Sequence, residues 1–312
     1  MQLVGQTEDK TQNGHRYAAG PRGRFGVAVA ALLVAALGTA CSTGSGAPEK
    51  PKAGTGAEAG AAGALSAAEK AKAAQQARVA AVKRWGLLKM PLTPPAAPKE
   101  KPEITTRDGF EVEDQEEYPP VFTTVPTEDK VVFLTIDDGA EKDPEFLKMM
   151  KELKIPYTAF LSDYVVNDNY AYFKEMQAAG VTLNNHTLNH RYMPALSYEK
   201  QRQEICGQQD TMQKVFGKRP TLFRPPFGNY NQDTLRAAKS CGIKAVPLWN
   251  AEAFTNRMDY REWDRDLHPG DIILTHFRGR EDWKGTMPDM IRQVMKTVTE
   301  KGYAVARLED YL

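Results

Sequence analysis

Apolar runs alternate with amphipathic stretches along the part of the chain that begins at Lys130. The short runs are typical of buried strands, and the stretches between them have the period of helices. The pattern predicts strands at 131–136, 157–161, 181–184, 222–224, 245–249, 271–275 and 303–306. It predicts helices near 143–153, 168–179, 197–216, 231–240 and 286–300. Repeated strand–helix alternation indicates an α/β fold with a parallel sheet.

The predicted strands could form either a closed barrel or an open, doubly wound sheet. A barrel gathers its functional groups at the C-terminal ends of its strands. Candidate functional residues stand at such ends on five different predicted strands, namely Asp137, Asp138, His186, Arg224, Trp249 and His276. This convergence favours an irregular seven-stranded (β/α) barrel, with the open sheet as the alternative.

The first 40 residues have the pattern of a secretory signal. Basic residues such as Arg22 and Arg24 precede an apolar run at 25–37, and small residues lead to Cys41. This order is typical of an export signal. The apolar run is short for a membrane-spanning helix, which needs ~20 residues. We therefore expect residues 1–40 to be a signal peptide and the protein to be exported.

Residues 41–125 are rich in Ala, Pro, Gly and Lys. Such a composition buries little apolar surface, so we expect a flexible linker and not a second catalytic domain. Ser66 and Glu69 match a capping box and predict one helix at 66–85. The folded domain is then expected at 126–312.

Charge and cysteine content narrow the function further. The chain has 41 Lys+Arg and 40 Asp+Glu, a net charge of +1, and we find no nucleic-acid-binding motif. A nucleic-acid partner is therefore not expected. Outside the cytoplasm Cys206 and Cys241 could form a disulfide, or they could be two buried thiols.

Asp137 and Asp138 end the first predicted strand and precede Gly139. A glycine permits a sharp backbone turn, so both carboxylates could reach one pocket. One would then bind a metal and the other would act as a base. The alternative is an ordinary turn between a strand and a helix.

His186 and His190 are four residues apart, and the chain has only five histidines. On a helical turn this spacing puts both imidazoles on one face. Two histidines and one carboxylate make a zinc site that leaves a position for water. The alternative is a pair of surface histidines.

Two more strand ends carry candidate residues. Arg224 begins the stiff segment Arg-Pro-Pro-Phe-Gly and could hold a carboxylate such as Asp137 by two parallel hydrogen bonds. Otherwise Arg224 would cap a sheet edge. His276 could be a third metal ligand, the acid that protonates a leaving group, or a core histidine.

Together these segments resemble the polysaccharide deacetylases, the NodB-homology enzymes of carbohydrate esterase family 4. The segments are Thr-Ile-Asp-Asp-Gly at 135–139, His-Thr-Leu-Asn-His at 186–190, Arg-Pro-Pro-Phe-Gly at 224–228 and Leu-Thr-His at 274–276. The resemblance covers about residues 130–312 and implies an irregular barrel of seven strands.

The resemblance also implies roles for individual residues. Asp137 would be the general base, oriented by Arg224, and His276 the general acid. Asp138, His186 and His190 would hold a divalent metal, most often zinc. The Phe227 N–H would help bind the oxyanion, and Leu274 would line the acetyl pocket.

The remaining family motif departs from the pattern. In the segment from Trp249 to Asn256, Glu252 stands where the family has its first aspartate, and the later Asp-Trp pair is absent. We expect Glu252 to replace that aspartate by holding His276 protonated, with a solvated loop glutamate as the alternative. Trp249 would remain part of the substrate site.

The segment before Cys41 resembles the lipobox of bacterial lipoproteins, although Leu37 lies one place too far from the cysteine. The protein would then be either lipid-anchored to the cell membrane or secreted. Its expected activity is deacetylation of N- or O-acetylated sugars in peptidoglycan, a chitin-like glycan or another extracellular polysaccharide. The alternatives are an acetylxylan-type esterase and a non-catalytic glycan-binding lipoprotein.

Overall fold

The computed structural model describes residues 66–312. The expected signal peptide, Cys41 and the linker up to residue 65 lie outside these residues. The helices are α1 (Ala67–Arg84), α2 (Pro144–Leu153), α3 (Asp163–Val166), α4 (Tyr170–Ala178), α5 (Tyr198–Phe216), α6 (Gln232–Ser240), α7 (Arg280–Trp283) and α8 (Met287–Glu300). The strands are β1 (Val121–Phe122), β2 (Val131–Asp138), β3 (Thr158–Leu161), β4 (Thr182–Asn185), β5 (Val246–Pro247), β6 (Ala251–Ala253), β7 (Met258–Tyr260), β8 (Ile272–His276) and β9 (Ala304–Ala306).

The five predicted helices of the domain are confirmed as α2, α4, α5, α6 and α8. Local capping explains their bounds. The Asp143 carboxylate accepts a hydrogen bond from the Glu145 N–H at the start of α2, and α5 ends at Gly217 in the left-handed region. Such caps satisfy backbone groups that a helix end leaves without partners. Because only a few residue types form them, helix bounds can be predicted from the sequence.

The larger sheet has the strand order β4-β3-β2-β8-β6-β7, and β9 pairs with the first residues of β2. All pairs are parallel except β6 with β7. All eight residues of β2 are buried, as expected for a central strand of a parallel sheet covered on both faces. The predicted mixed α/β fold is confirmed.

Two of the predicted strands, at 222–224 and 245–249, are much shorter than expected. Residues 222–224 form only isolated bridges, in which Phe223 pairs with Asn185 and Leu222 with Ala245. The predicted strand at 245–249 retains the two residues of β5, which pair with β1 in a second small sheet. The sequence pattern missed β1, β6 and β7, because runs of two or three residues carry too little periodicity to detect.

The expectation of a flexible linker up to residue 125 needs correction. Helix α1 forms at the predicted place with the Ser66 capping box, and Trp85 after it is buried and donates from Nε1 to Glu152 at 2.7 Å. Arg107 donates to Thr123 at 2.6 Å, and β1 lies in the core. The apolar side chains of this stretch are buried at isolated positions and not at a repeating spacing, so no sequence pattern marks them. The packed part of the chain therefore begins before residue 126.

Cys206 in α5 and Cys241 at the end of α6 form a disulfide, so they are not two free thiols. Between residues 66 and 312, no helix is both long and apolar enough to cross a membrane.

Candidate metal and catalytic site

The candidate site lies where β2 and its neighbours end. In the β2–β8 register Asp137 is opposite His276, and in the β2–β3 register it is opposite Phe160. Adjacent strands are ~4.8 Å apart. The pairing therefore brings together two residues that are far apart in the chain, the expected base and the expected acid.

Asp138 and Gly139 turn the chain sharply at the end of β2. Their φ angles are 77° and 97°. A Cβ on Gly139 would lie 2.4 Å from Cγ1 of Val166, so this position requires glycine for space as well as conformation. A positive φ is uncommon for an aspartate and indicates strain that the surrounding packing maintains. The turn brings both adjacent carboxylates close to His186, whose Nε2 lies 3.7 Å from Asp137 Oδ2 and 3.5 Å from Asp138 Oδ1.

Arg224 is fully buried and holds the Asp137 carboxylate. Its Nη1 donates to Asp137 Oδ1 at 2.8 Å and to Thr135 Oγ1 at 2.9 Å. Its Nε and Nη2 donate to the carbonyls of Pro247 and Leu248 at 2.8 and 3.1 Å. The structure thus brings Arg224 to Asp137, but through one nitrogen and not through the expected fork. Burial lowers the pKa of Arg224, and the charge of Asp137 opposes this shift.

His186 and His190 lie on a bend and not on a helical turn. Thr187 and His190 have φ angles of 71° and 51°, which interrupt any helix here. Glu204 of α5 holds the bend: its Oε2 accepts from the Asn189 N–H and its Oε1 from Asn189 Nδ2, both at 2.8 Å. Contacts from a distant helix therefore override the local spacing, yet both imidazoles still reach one carboxylate.

Asp138 and the two histidines form a compact set of donor atoms. Asp138 Oδ1 lies 3.5 Å from His186 Nε2 and 3.3 Å from His190 Nε2. The three ligand atoms lie within 4.8 Å of one another. Ligand atoms at ordinary bond lengths from a tetrahedral zinc are ~3.4 Å apart. Asp138 Oδ1 is buried and has no hydrogen-bond donor within the described chain, so this oxygen is suited to a cation.

The hydrogen bond of His186 Nδ1 leaves its Nε2 free to face Asp138 and His190. His186 Nδ1 lies 2.7 Å from the Arg224 carbonyl oxygen. A carbonyl can only accept, so Nδ1 carries the proton and Nε2 is left for a ligand. Burial is the main cause that lowers the pKa of His190 to about 4, which favours its neutral, ligating form.

Glu252 lies beside His276, as expected. Glu252 Oε1 is 3.7 Å from His276 Nδ1, which is within ion-pair range but too long for a direct hydrogen bond. Burial raises the pKa of Glu252, and the charge of His276 opposes that shift.

The three expected substrate-contact residues have different exposures. Phe227 is 49% exposed and its ring lies 4.7 Å from that of His190. Leu274 is buried in β8. Trp249 is half-buried and packs on Gly228, where a Cβ would lie 2.8 Å from its ring.

Sequence reasoning missed Arg278. Its Nη2 donates to Asp138 Oδ2 at 2.7 Å. Arg278 lies two residues after His276, and residues two apart in an extended segment share a side. That spacing was the available signal.

Comparison with known proteins places the chain in a family. A family model for polysaccharide deacetylases matches residues 124–246. The uncharacterized Streptomyces coelicolor protein SCO4760 is 39% identical over 231 residues, covering 72% of this chain and 92% of that protein. The chain belongs to the polysaccharide deacetylase family.

Two further proteins extend the comparison. The peptidoglycan-N-acetylglucosamine deacetylase of Bacillus cereus is 27% identical over 202 residues, covering 60% of this chain and 91% of that enzyme. The solved structure of BA3943, a pseudoenzyme of carbohydrate esterase family 4 from Bacillus anthracis, superposes with a TM-score of 0.50 at 22% identity. The superposition covers 62% of this chain and 69% of the BA3943 chain, and it supports the fold alone.

Proposed function

We propose that this protein is a metal-dependent hydrolase that removes acetyl groups from N-acetylated sugars of cell-wall polysaccharide. The observation that carries the proposal is the set of Asp138, His186 and His190. One buried carboxylate oxygen without a donor faces two imidazole nitrogens, and the proton of His186 is directed to the other side of its ring.

Zinc is the metal that fits best. A carboxylate and two neutral imidazoles are typical ligands of a catalytic zinc, which keeps an open position for water or substrate. When bound, such a metal polarises a carbonyl and lowers the pKa of water towards ~7.

The remaining side chains supply proton transfer. Asp137, held by Arg224, accepts a proton from water while the water oxygen attacks the acetyl carbon. The Phe227 N–H donates to the developing oxyanion. His276, supported by Glu252, protonates the departing nitrogen as the carbon–nitrogen bond breaks. The products are acetate and a free amino sugar.

Peptidoglycan is the proposed first substrate, since the Bacillus cereus relative is named for that activity. The test is acetate release from peptidoglycan, N-acetylated chitooligosaccharides and acetylxylan, with chelator-treated and zinc-reloaded protein. His186→Ala should abolish both zinc binding and acetate release. His268→Ala is the matched control, because His268 is a loop histidine that contacts Asp264 at 3.0 Å. Zinc-independent acetate release would refute the proposal, and release from acetylxylan alone would indicate an esterase.

A second candidate is a non-catalytic glycan-binding protein. The observation in its favour is the altered segment around Glu252, whose carboxylate is 3.7 Å from His276. This candidate predicts sedimentation with peptidoglycan and no acetate release from any of the three substrates.

We also propose that the protein is exported and anchored through lipid at Cys41. The Cys206–Cys241 disulfide supports export, because such bonds persist in oxidising compartments. Cys41→Ala should move the protein from the membrane fraction to the medium. Retention of the variant in the membrane fraction would contradict the lipid anchor.

For the sheet we propose the irregular barrel that the family resemblance implies. The isolated bridges of Phe223 with Asn185 and of Leu222 with Ala245 support a path from β4 to β5. The bridge of Thr124 with Asp271 supports a return to β8. A crystal structure in which β4 is a free sheet edge, without the bridges that residues 222–223 make to β4 and to Ala245, would overturn this proposal.

A further inference from the structure

The two adjacent aspartates at the end of β2 are each held by a different arginine. Arg224 donates to Asp137 Oδ1, and Arg278 donates to Asp138 Oδ2 at 2.7 Å. The other oxygen of Asp138 has no donor within the described chain and faces the two imidazoles. The two oxygens of the Asp138 carboxylate therefore have different surroundings. Oδ2 is hydrogen-bonded to the Arg278 guanidinium, and Oδ1 faces His186 and His190.

The backbone that presents Arg278 is fixed on both sides. The N–H of Phe277 donates to the Asp137 carbonyl at 3.1 Å, and the Phe277 carbonyl accepts from the Glu141 N–H at 2.9 Å. The Phe277 ring is buried and packs edge-on against Phe146 and Phe173. The Arg278 side chain is about one-third exposed, but the residue before it in the chain, Phe277, is part of the core.

The contact with Asp138 differs from an ordinary surface ion pair. Arg278 Nη1 also lies 3.9 Å from Asp282, whose side chain is 53% exposed, and such pairs contribute little. The Asp138 side chain is only 2% exposed. The hydrogen bond from Arg278 to Asp138 is charge-assisted and directional. The buried Asp138 carboxylate cannot rotate freely, so the bond keeps its geometry.

We propose that Arg278 is a positioning residue for Asp138, which it holds so that a single oxygen is presented to the metal. This role rests on the metal-dependent function proposed above. The guanidinium charge also repels a cation, but solvent screens that repulsion because the group is partly exposed. The orienting hydrogen bond is expected to dominate, as it does for other partners of metal ligands.

The test is zinc affinity, measured by competition with a chromogenic chelator. Arg278→Met removes the donors and keeps an unbranched side chain of moderate length. It should weaken zinc binding 10–100-fold, whereas Arg280→Ala at the start of α7 should stay within about two-fold of wild type. Arg278→Lys should recover part of the loss, because an ammonium can donate one hydrogen bond to Oδ2. Urea unfolding of each metal-free variant monitors the fold separately.

Three results would overturn the role of Arg278. The first is an Arg278→Met affinity equal to or tighter than that of wild type. The second is an equal loss in Arg278→Lys and Arg278→Met. The third is loss of cooperative unfolding in metal-free Arg278→Met, which would make Arg278 a folding residue. His186→Ala, measured in parallel, separates the two proposals: if that variant keeps wild-type affinity, the metal site itself is wrong, and if it alone loses zinc, only the role of Arg278 is wrong.

Discussion

Replacing Arg224 by Met should destabilise the protein and disable the site together. Arg224 is fully buried, and its guanidinium makes four hydrogen bonds of 2.8–3.1 Å. Methionine keeps a long apolar side chain but leaves the carbonyls of Pro247 and Leu248 without these donors. It also leaves Asp137 as a buried carboxylate without its cation.

The expected magnitude follows from these losses. Removing one partner of a buried ion pair costs ~3–5 kcal/mol. A domain has only ~5–15 kcal/mol of stability in total, so Arg224→Met should lose a large share of its free energy of unfolding. The measurement is urea unfolding of the metal-free protein at neutral pH, followed by circular dichroism.

Arg219→Met provides the matched control. Arg219 lies on the same segment, is 49% exposed and pairs with the exposed Asp210, so its replacement should cost less than about 1 kcal/mol. A similar, small loss in Arg224→Met would refute the reasoning, since it would mean that the buried carboxylate and carbonyls are satisfied without the guanidinium.

Four further outcomes are expected. Asp137→Asn should retain zinc and fold while losing activity by about 10²–10⁴-fold, and loss of zinc would exchange the roles of the two aspartates. Glu252→Gln should move the alkaline limb of the pH–rate profile to lower pH and lower the maximal rate; an unchanged profile would leave Glu252 as a solvated glutamate. Burial raises the pKa of Asp289, but hydrogen bonds from Thr286 and Arg292 outweigh it and lower this pKa to about 2. Because the pKa of Asp289 in the folded protein lies below the ordinary 3.8, the ionised carboxylate stabilises the fold above that pH, and this stabilisation is lost as pH falls towards 2. Urea unfolding should therefore find Asp289→Asn less stable than wild type at neutral pH but not at pH 2. A chain beginning at residue 120 should unfold at a lower urea concentration than one beginning at residue 66, because it lacks the contacts of Trp85 and Arg107. Equal unfolding midpoints would support the original interpretation of this stretch as a flexible linker.

The family and the candidate residues could be predicted because their signals are local. A helix begins and ends where its own caps lie, as at Asp143 and Gly217. A buried parallel strand shows as an apolar run, as in β2. Since the chemistry follows such runs directly, Asp137, Asp138, His186 and His276 could be assigned to one edge of a sheet from the sequence alone.

Only the tertiary structure decided which side chains touch. The bend at His186–His190 depends on Glu204 from α5, and the second arginine at the site comes from the turn after β8. The distance between Glu252 and His276 depends on the pairing of β6 with β8. The packing of Trp85 and Arg107 follows from contacts with distant segments. No local pattern encodes such contacts, because each depends on where two remote parts of the chain are placed by the core between them.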